Sequence, residues 1–303
     1  MRKFNLLVIS LLLTVQASPA VSIIWDYTYD SSGFFTTERK AVLQAAGDTF
    51  SNYSIASQEL KPGGGNSWSW QFTNPTTTAN TTISNPTVLP GQLTIYVGAR
   101  DLGASELGLG GNLGLNASGT QAWIEKLQSF NTADTFMPFN GVITINSTSN
   151  WYSGLPNEIP SNAYDLYSVA IHEIGHVFGI GTSTTKAWLA NIDEVNHLYI
   201  GTEGVAAYGG SIPLLADNSH FAYDTAFDGS PLVMDPNIAM GVRASWSPVE
   251  FGVMRDLGYV TIPEPTTTAL VIFSLSLLFL IMHKRLYPLR PAAPASHHTS
   301  ESH

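Results

Sequence analysis

The sequence predicts an α+β domain, a mixed sheet with interspersed helices, set between two apolar ends. Three observations carry this. Segments 22–30, 93–100 and 141–152 alternate apolar and polar residues and are rich in β-branched and aromatic side chains, the period-2 pattern of half-buried strands. Segments 165–179 and 247–259 carry apolar residues at helical spacing behind an N-capping residue. Hydrophobic residues make up 44% of the 303, enough to fill a large core and to exclude a disordered chain.

Residues 1–20 open with Arg2 and Lys3, continue through an apolar run from Leu6 to Val15 and end on the small residues Ser18 and Ala20. This is the layout of a secretory signal peptide. SIIWDYTYD (22–30) reads as the first strand, and TERKAVLQAAGDTFSNY (37–53) as a helix with Val42, Ala46, Phe50 and Tyr53 on one face. KPGGGN (61–66) is a turn, and 73–87 an exposed loop or irregular edge strands. LTIYVGAR (93–100) is a strand; the glycines of LGLGGNLGLN (107–116) predict a loop; GVITINSTSNWY (141–152) is a further strand. A helix capped by Asp165 then runs to Gly179 and Gly181. In the helix of 247–259, Ser247 is the N-cap, Pro248 suits the first turn and Glu250 completes a capping box. The globular part is thus expected over 21–261.

After it, 262–285 holds an uncharged apolar stretch at 266–282, about the minimum length for a membrane-spanning helix, followed at once by His283, Lys284 and Arg285. The basic flank predicts a cytoplasmic tail over 286–303 and an exported remainder tethered to the inner membrane.

Only 12% of residues are charged, and between 21 and 265 there are 8 Lys/Arg against 22 Asp/Glu. Such an acidic domain argues against nucleic acid or anionic lipid as a partner. Cysteine is absent, which excludes disulfides, thiolate metal ligands and a cysteine nucleophile.

The chemistry concentrates in HEIGH (172–176). His172 and His176, four residues apart, project from one helix face and suit two corners of a zinc tetrahedron. Glu173 can reach a metal-bound water and act as general base. A third ligand must come from elsewhere, because the HExxHxxGxxH spacing keeps its glycine as Gly179 but has Thr182 where the third histidine would stand. Before the apolar stretch the remaining histidines are His197 and His220. His220 is the first choice, since it sits in a polar, turn-rich segment upstream of Met234, which looks like a Met-turn beneath a metal. Glu194, with His197 behind it, is the alternative, on an expected helix over 186–199.

The run from YVGARDLG (96–103) through NWY (150–152), DLYSVAIHEIGHVFGIGTS (165–183), VAAYGGSIPL (205–214), SHF (219–221), MDP (234–236) and DLGY (256–259) resembles a bacterial family of exported, metzincin-like HExxH metalloproteases. The resemblance implies a metzincin-type fold, Zn2+ held by His172, His176 and His220, Glu173 as general base, Met234 as the Met-turn, and a protein or peptide substrate. Pro263-Glu264-Pro265, the apolar stretch and the basic residues after it resemble a PEP-CTERM sorting signal, which implies processing by an exosortase-type enzyme and release to the cell surface. An extended substrate is expected to pair with an edge strand at Val142–Thr148. Two other functions fit the same motifs: a surface adhesin or matrix protein with a silent zinc site, disfavoured by the intact Glu173, and a hydrolase acting on something other than peptides.

Overall fold

The computed structural model describes residues 19–55, 59–154 and 158–262, with scattered positions between 271 and 282. Two units divide the chain, Met1–Ile262 and Pro263–His303. In chain order the elements are β1 (Ser22–Asp26), α1 (Thr37–Asp48), β2 (Ser67–Thr73), β3 (Asn80–Ser84), β4 (Gln92–Arg100), β5 (Gly108–Gly111), β6 (Gly114–Ser118), α2 (Gln121–Gln128), β7 (Asn140–Asn146), β8 (Trp151–Tyr152) and β9 (Tyr164–Asp165). There follow α3 (Leu166–Val177), α4 (Lys186–Ala190), β10 (Ile192–Asp193), β11 (Leu198–Tyr199), α5 (Thr202–Tyr208), β12 (Ile212–Pro213), β13 (Ala226–Phe227), β14 (Ser230–Pro231) and α6 (Pro248–Asp256).

The central sheet has the order β1-β4-β7-β5. β1, β4 and β7 are parallel, and β5 runs antiparallel to β7. Strand alternation builds a core on each face. Leu93, Ile95, Val97 and Ala99 of β4 join Ile143 and Ile145 of β7 against the helices, while Tyr96 points the other way. On that far face a small antiparallel sheet, β3-β2-β6, brings Trp68, Trp70 and Phe72 to Tyr96, Trp123 and Phe139. The result is a helical layer, a mixed sheet and a small sheet, the α+β architecture expected.

α3 lies under β5 and β7 and is buried on every side except at Tyr167. A helix buried all round needs apolar or small residues throughout, and LYSVAIHEIGHV supplies them save for the site residues. Asp165 caps it, accepting from the Ser168 N–H at 3.2 Å and the Ser168 hydroxyl at 2.7 Å. Arg243 forms a two-pronged ion pair with the same carboxylate, at 2.9 and 2.8 Å, and so ties the 235–247 segment to the start of α3. α6 has the capping box in full, with Glu250 itself wholly buried.

Four expectations are corrected. The glycine run 107–116 is not a loop but holds β5 and β6. Val142–Thr148 is not an edge: β7 is paired on both sides, and the outer strand is β5. The helix begun at Thr37 ends at Asp48, because the chain beyond it turns away so that Asn52 and Ser54 can bond the backbone of Val260 and Ile262. Residues 186–199 form only a short helix, after which β10 and β11 make a hairpin whose Asp193 carboxylate accepts from the N–H groups of Val195 and Asn196.

Among the described residues no helix is long and apolar enough to cross a membrane. About half of the expected span at 266–282 falls outside them, as do residues 1–18 of the expected signal peptide and all of the expected tail at 286–303.

Candidate metal centre

The site forms where the C-terminal half of α3 meets two loops. His172 and His176 project side by side, and the loop after β12 carries His220 to them. The three Nε2 atoms stand 3.1 Å from one another. Their other nitrogens fix the tautomers. His172 Nδ1 lies 2.6 Å from the Val233 carbonyl and His176 Nδ1 lies 2.8 Å from the Ile180 carbonyl. A carbonyl can only accept, so each Nδ1 carries the proton and each Nε2 is a bare lone pair. His220 Nδ1 is 2.8 Å from the Ser219 hydroxyl, whose own hydrogen goes to Asp217 Oδ1 at 2.7 Å. That hydroxyl therefore accepts from His220, and the third Nε2 is bare as well.

Three facing lone pairs with no proton between them repel one another, and a cation among them converts the repulsion into coordination. An all-imidazole set suits zinc. Tetrahedral bonds of about 2.0–2.1 Å place ligand nitrogens roughly 3.3 Å apart, close to the spacing here. Electrostatics point the same way. Burial and the neighbouring rings hold His172 well below the ordinary histidine range, and burial with His220 beside it lowers His176 to about 4. Burial also lowers His220, opposed by Asp217. All three are neutral donors at neutral pH.

Glu173 is buried against β5. Burial raises its carboxyl to about 8, Glu106 adds to the rise, and the Gly110 N–H that bonds the carboxylate opposes it. The glycines of β5 make this approach possible. A Cβ at Gly108 would lie 2.5 Å from Glu173 Oε1, and one at Gly110 would lie 2.5 Å from the Glu173 carbonyl oxygen. β5 is thus a strand in which glycine is demanded by packing rather than by turning.

Met234 is fully buried against α3. A Cβ at Gly175 would come within 2.5 Å of its sulfur, so the glycine inside HEIGH lets the methionine seat against α3. The neighbouring Val233 peptide is held at both ends: its N–H donates to Glu250 Oε1 at 2.6 Å, and its carbonyl takes His172. Past α3 the chain turns through Gly179 and Gly181, both at positive φ. A side chain on Gly181 would collide with the Ser219 carbonyl, so the glycine admits the loop that bears His220. Thr182, in place of a histidine, donates to the His176 carbonyl at 3.0 Å and finishes the helix.

The cluster therefore unites His172, His176 and His220. Glu194 is not part of it, being exposed in the β10–β11 turn because the expected helix breaks there. His197 bonds Asn218 Oδ1 at 3.0 Å instead. Sequence reasoning missed Ser219, Asp217, Gly108, Gly110 and Arg243. Only the adjacency of Asp217 and Ser219 to His220 offered a signal.

The model of the Matrixin family matches residues 124–195, which contain HEIGH and end before His220 and Met234. Metalloendoproteinase 4-MMP of Arabidopsis thaliana is 46% identical over 54 residues, which is 18% of this chain and 16% of that protein. The chain thus resembles these metalloproteases over the stretch that carries HEIGH, and spans only a small part of the length of the relative it matches.

Proposed function

We propose that the protein is a zinc-dependent endopeptidase in which His172, His176 and His220 hold the ion and Glu173 is the general base. The observation that carries this is the convergence of three bare Nε2 atoms at 3.1 Å, each fixed through its Nδ1. When bound, zinc supplies Lewis-acid activation of water and of the scissile carbonyl. Glu173 takes the proton from the attacking water and carries it to the leaving amine. Its enclosure against β5, with the Gly110 N–H bonding the carboxylate, holds it in one place for both tasks.

An extended peptide pairs with the outer edge of β5, the last strand of the sheet and the one that touches Glu173. A cavity of about 290 Å³ behind the Val233 peptide, lined by Phe227, Leu232, Ile238, Val242 and Ala244, suits an apolar side chain of the substrate. The protein is exported, held at the membrane by 266–282 and released near Pro263-Glu264-Pro265. Mass spectrometry of the mature protein from cell fractions tests this by its two ends.

Casein cleavage by wild type and by Glu173→Gln, each with and without chelator, tests the reaction. The proposal expects cleavage by wild type alone, lost to the chelator and restored by zinc. A Glu173→Gln protein that binds zinc and cleaves as fast as wild type refutes the assigned base. A zinc-loaded wild type that cleaves no protein or peptide favours the silent surface protein.

A further inference from the structure

The three histidines are not held alike. Backbone carbonyls fix His172 and His176, and no side-chain substitution can remove them. A side chain fixes His220: its Nδ1 meets the Ser219 hydroxyl at 2.8 Å, and that hydroxyl meets Asp217 Oδ1 at 2.7 Å. The carboxylate also takes the Ser219 N–H at 3.0 Å. Its two bonds from Ser219 hold the Asp217 carboxyl below its ordinary range. His220 is also the least buried of the three, half-buried where His172 and His176 are buried. Packing therefore constrains its rotation least.

We propose that Asp217 and Ser219 form a relay that orients His220 as the third zinc ligand and sets how tightly the site holds its ion. This rests on the zinc assignment above. The relay acts in two ways. It keeps the proton on Nδ1, so Nε2 always faces the cluster as a lone pair. It also places a carboxylate two hydrogen bonds from the ring, which strengthens Nε2 as a donor. Asp217 and Ser219 are positioning residues, since neither reaches the cluster.

The backbone of this loop is secured separately. Leu215 N–H donates to the His220 carbonyl at 3.0 Å, Phe221 N–H donates to the Met234 carbonyl at 3.0 Å, and the Trp188 indole donates to the Asn218 carbonyl at 3.1 Å. None of these involves the Ser219 hydroxyl, so Ser219→Ala removes the relay and leaves the loop in place.

The test is zinc affinity of the full chain, measured by competition with a chromophoric chelator, for wild type, Ser219→Ala, Ser219→Thr, Asp217→Asn, the Asp217→Asn/Ser219→Ala double variant and His220→Ala. Loss of a residue that orients a metal ligand weakens binding by about 10–100-fold. The relay predicts a loss of about tenfold or more for Ser219→Ala, recovery in Ser219→Thr, which keeps the hydroxyl, and a smaller loss for Asp217→Asn. It also predicts no further loss when Asp217→Asn is added to Ser219→Ala. Ser219→Ala binding like wild type while His220→Ala loses zinc overturns the relay and leaves the zinc assignment standing. Ser219→Thr as weak as Ser219→Ala also overturns it, because the hydroxyl is then not the cause. His220→Ala binding like wild type overturns the ligand assignment itself.

Discussion

Gly108→Ala is the sharpest test of the link between the β5 strand and the chemistry. The added methyl would lie 2.5 Å from Glu173 Oε1, 2.9 Å from its Cδ and 3.0 Å from its Cγ, where ordinary contact begins at 3.4 Å. Either β5 or the carboxyl must retreat by about 1 Å, and the carboxyl, on a side chain with rotatable bonds, gives first. Misplacing a catalytic group by that distance costs about 10²-fold in rate. The wider cost of overpacking is about 1–3 kcal/mol of stability. None of the three histidines is touched, so zinc should stay at one ion per chain. The assay is steady-state cleavage of a fluorogenic peptide, with zinc content and a thermal melt on the same sample. The expected outcome is a kcat lower by about 10–100-fold with zinc retained. A Gly108→Ala protein with zinc bound and kcat within twofold of wild type refutes the assigned contact between β5 and the base.

Arg243→Ala should strand the fully buried Asp165 carboxylate and cost about 3–5 kcal/mol in urea unfolding; a loss under about 1 kcal/mol contradicts the clamp on α3. The zinc-free Glu173→Gln protein, which lacks the opposing titration of the raised Glu173 carboxyl, should lose stability on acidification. His176 takes its proton near 6.5 when unfolded but only near 4 when folded, so its stabilisation is complete above 6.5 and drains away between 6.5 and 4. At about 1.4 kcal/mol per pH unit the loss is about 3 kcal/mol; a midpoint in urea that does not move across that range contradicts it. Gly181→Ala should drive the Ser219 carbonyl and His220 away and lower zinc affinity to that of His220→Ala. Equilibrium titration checks this, and wild-type affinity refutes it.

Most of α3 was legible because its signals are local. Asp165 is a capping residue in front of a helical apolar pattern, and two glycines stand at the exit. The same holds for α6, where Ser247, Pro248 and Glu250 form a complete start signal. His172, Glu173 and His176 follow from spacing alone, and His220 from its polar, turn-rich segment upstream of Met234. What was illegible depends on partners distant in sequence. β5 carries almost no strand propensity, and its glycines are needed by Glu173, some 65 residues away. Strand order is likewise invisible in a single strand, so β7, the better strand former, reads as the edge that β5 occupies. Residues 186–199 have helical spacing, but Asp193 closes a turn that breaks it, and with the helix goes the case for Glu194. The dependence of His220 on Ser219 and Asp217 is adjacent in sequence, yet only the ring's orientation reveals it.

X-ray absorption at the zinc edge, on purified wild type and on His220→Ala and Glu194→Ala, probes the ligand set directly. Three imidazole nitrogens at about 2.0–2.1 Å with one further light atom are expected in wild type and in Glu194→Ala, and one imidazole fewer in His220→Ala. A carboxylate in place of the third imidazole, or a spectrum unchanged in His220→Ala, would contradict the centre described here.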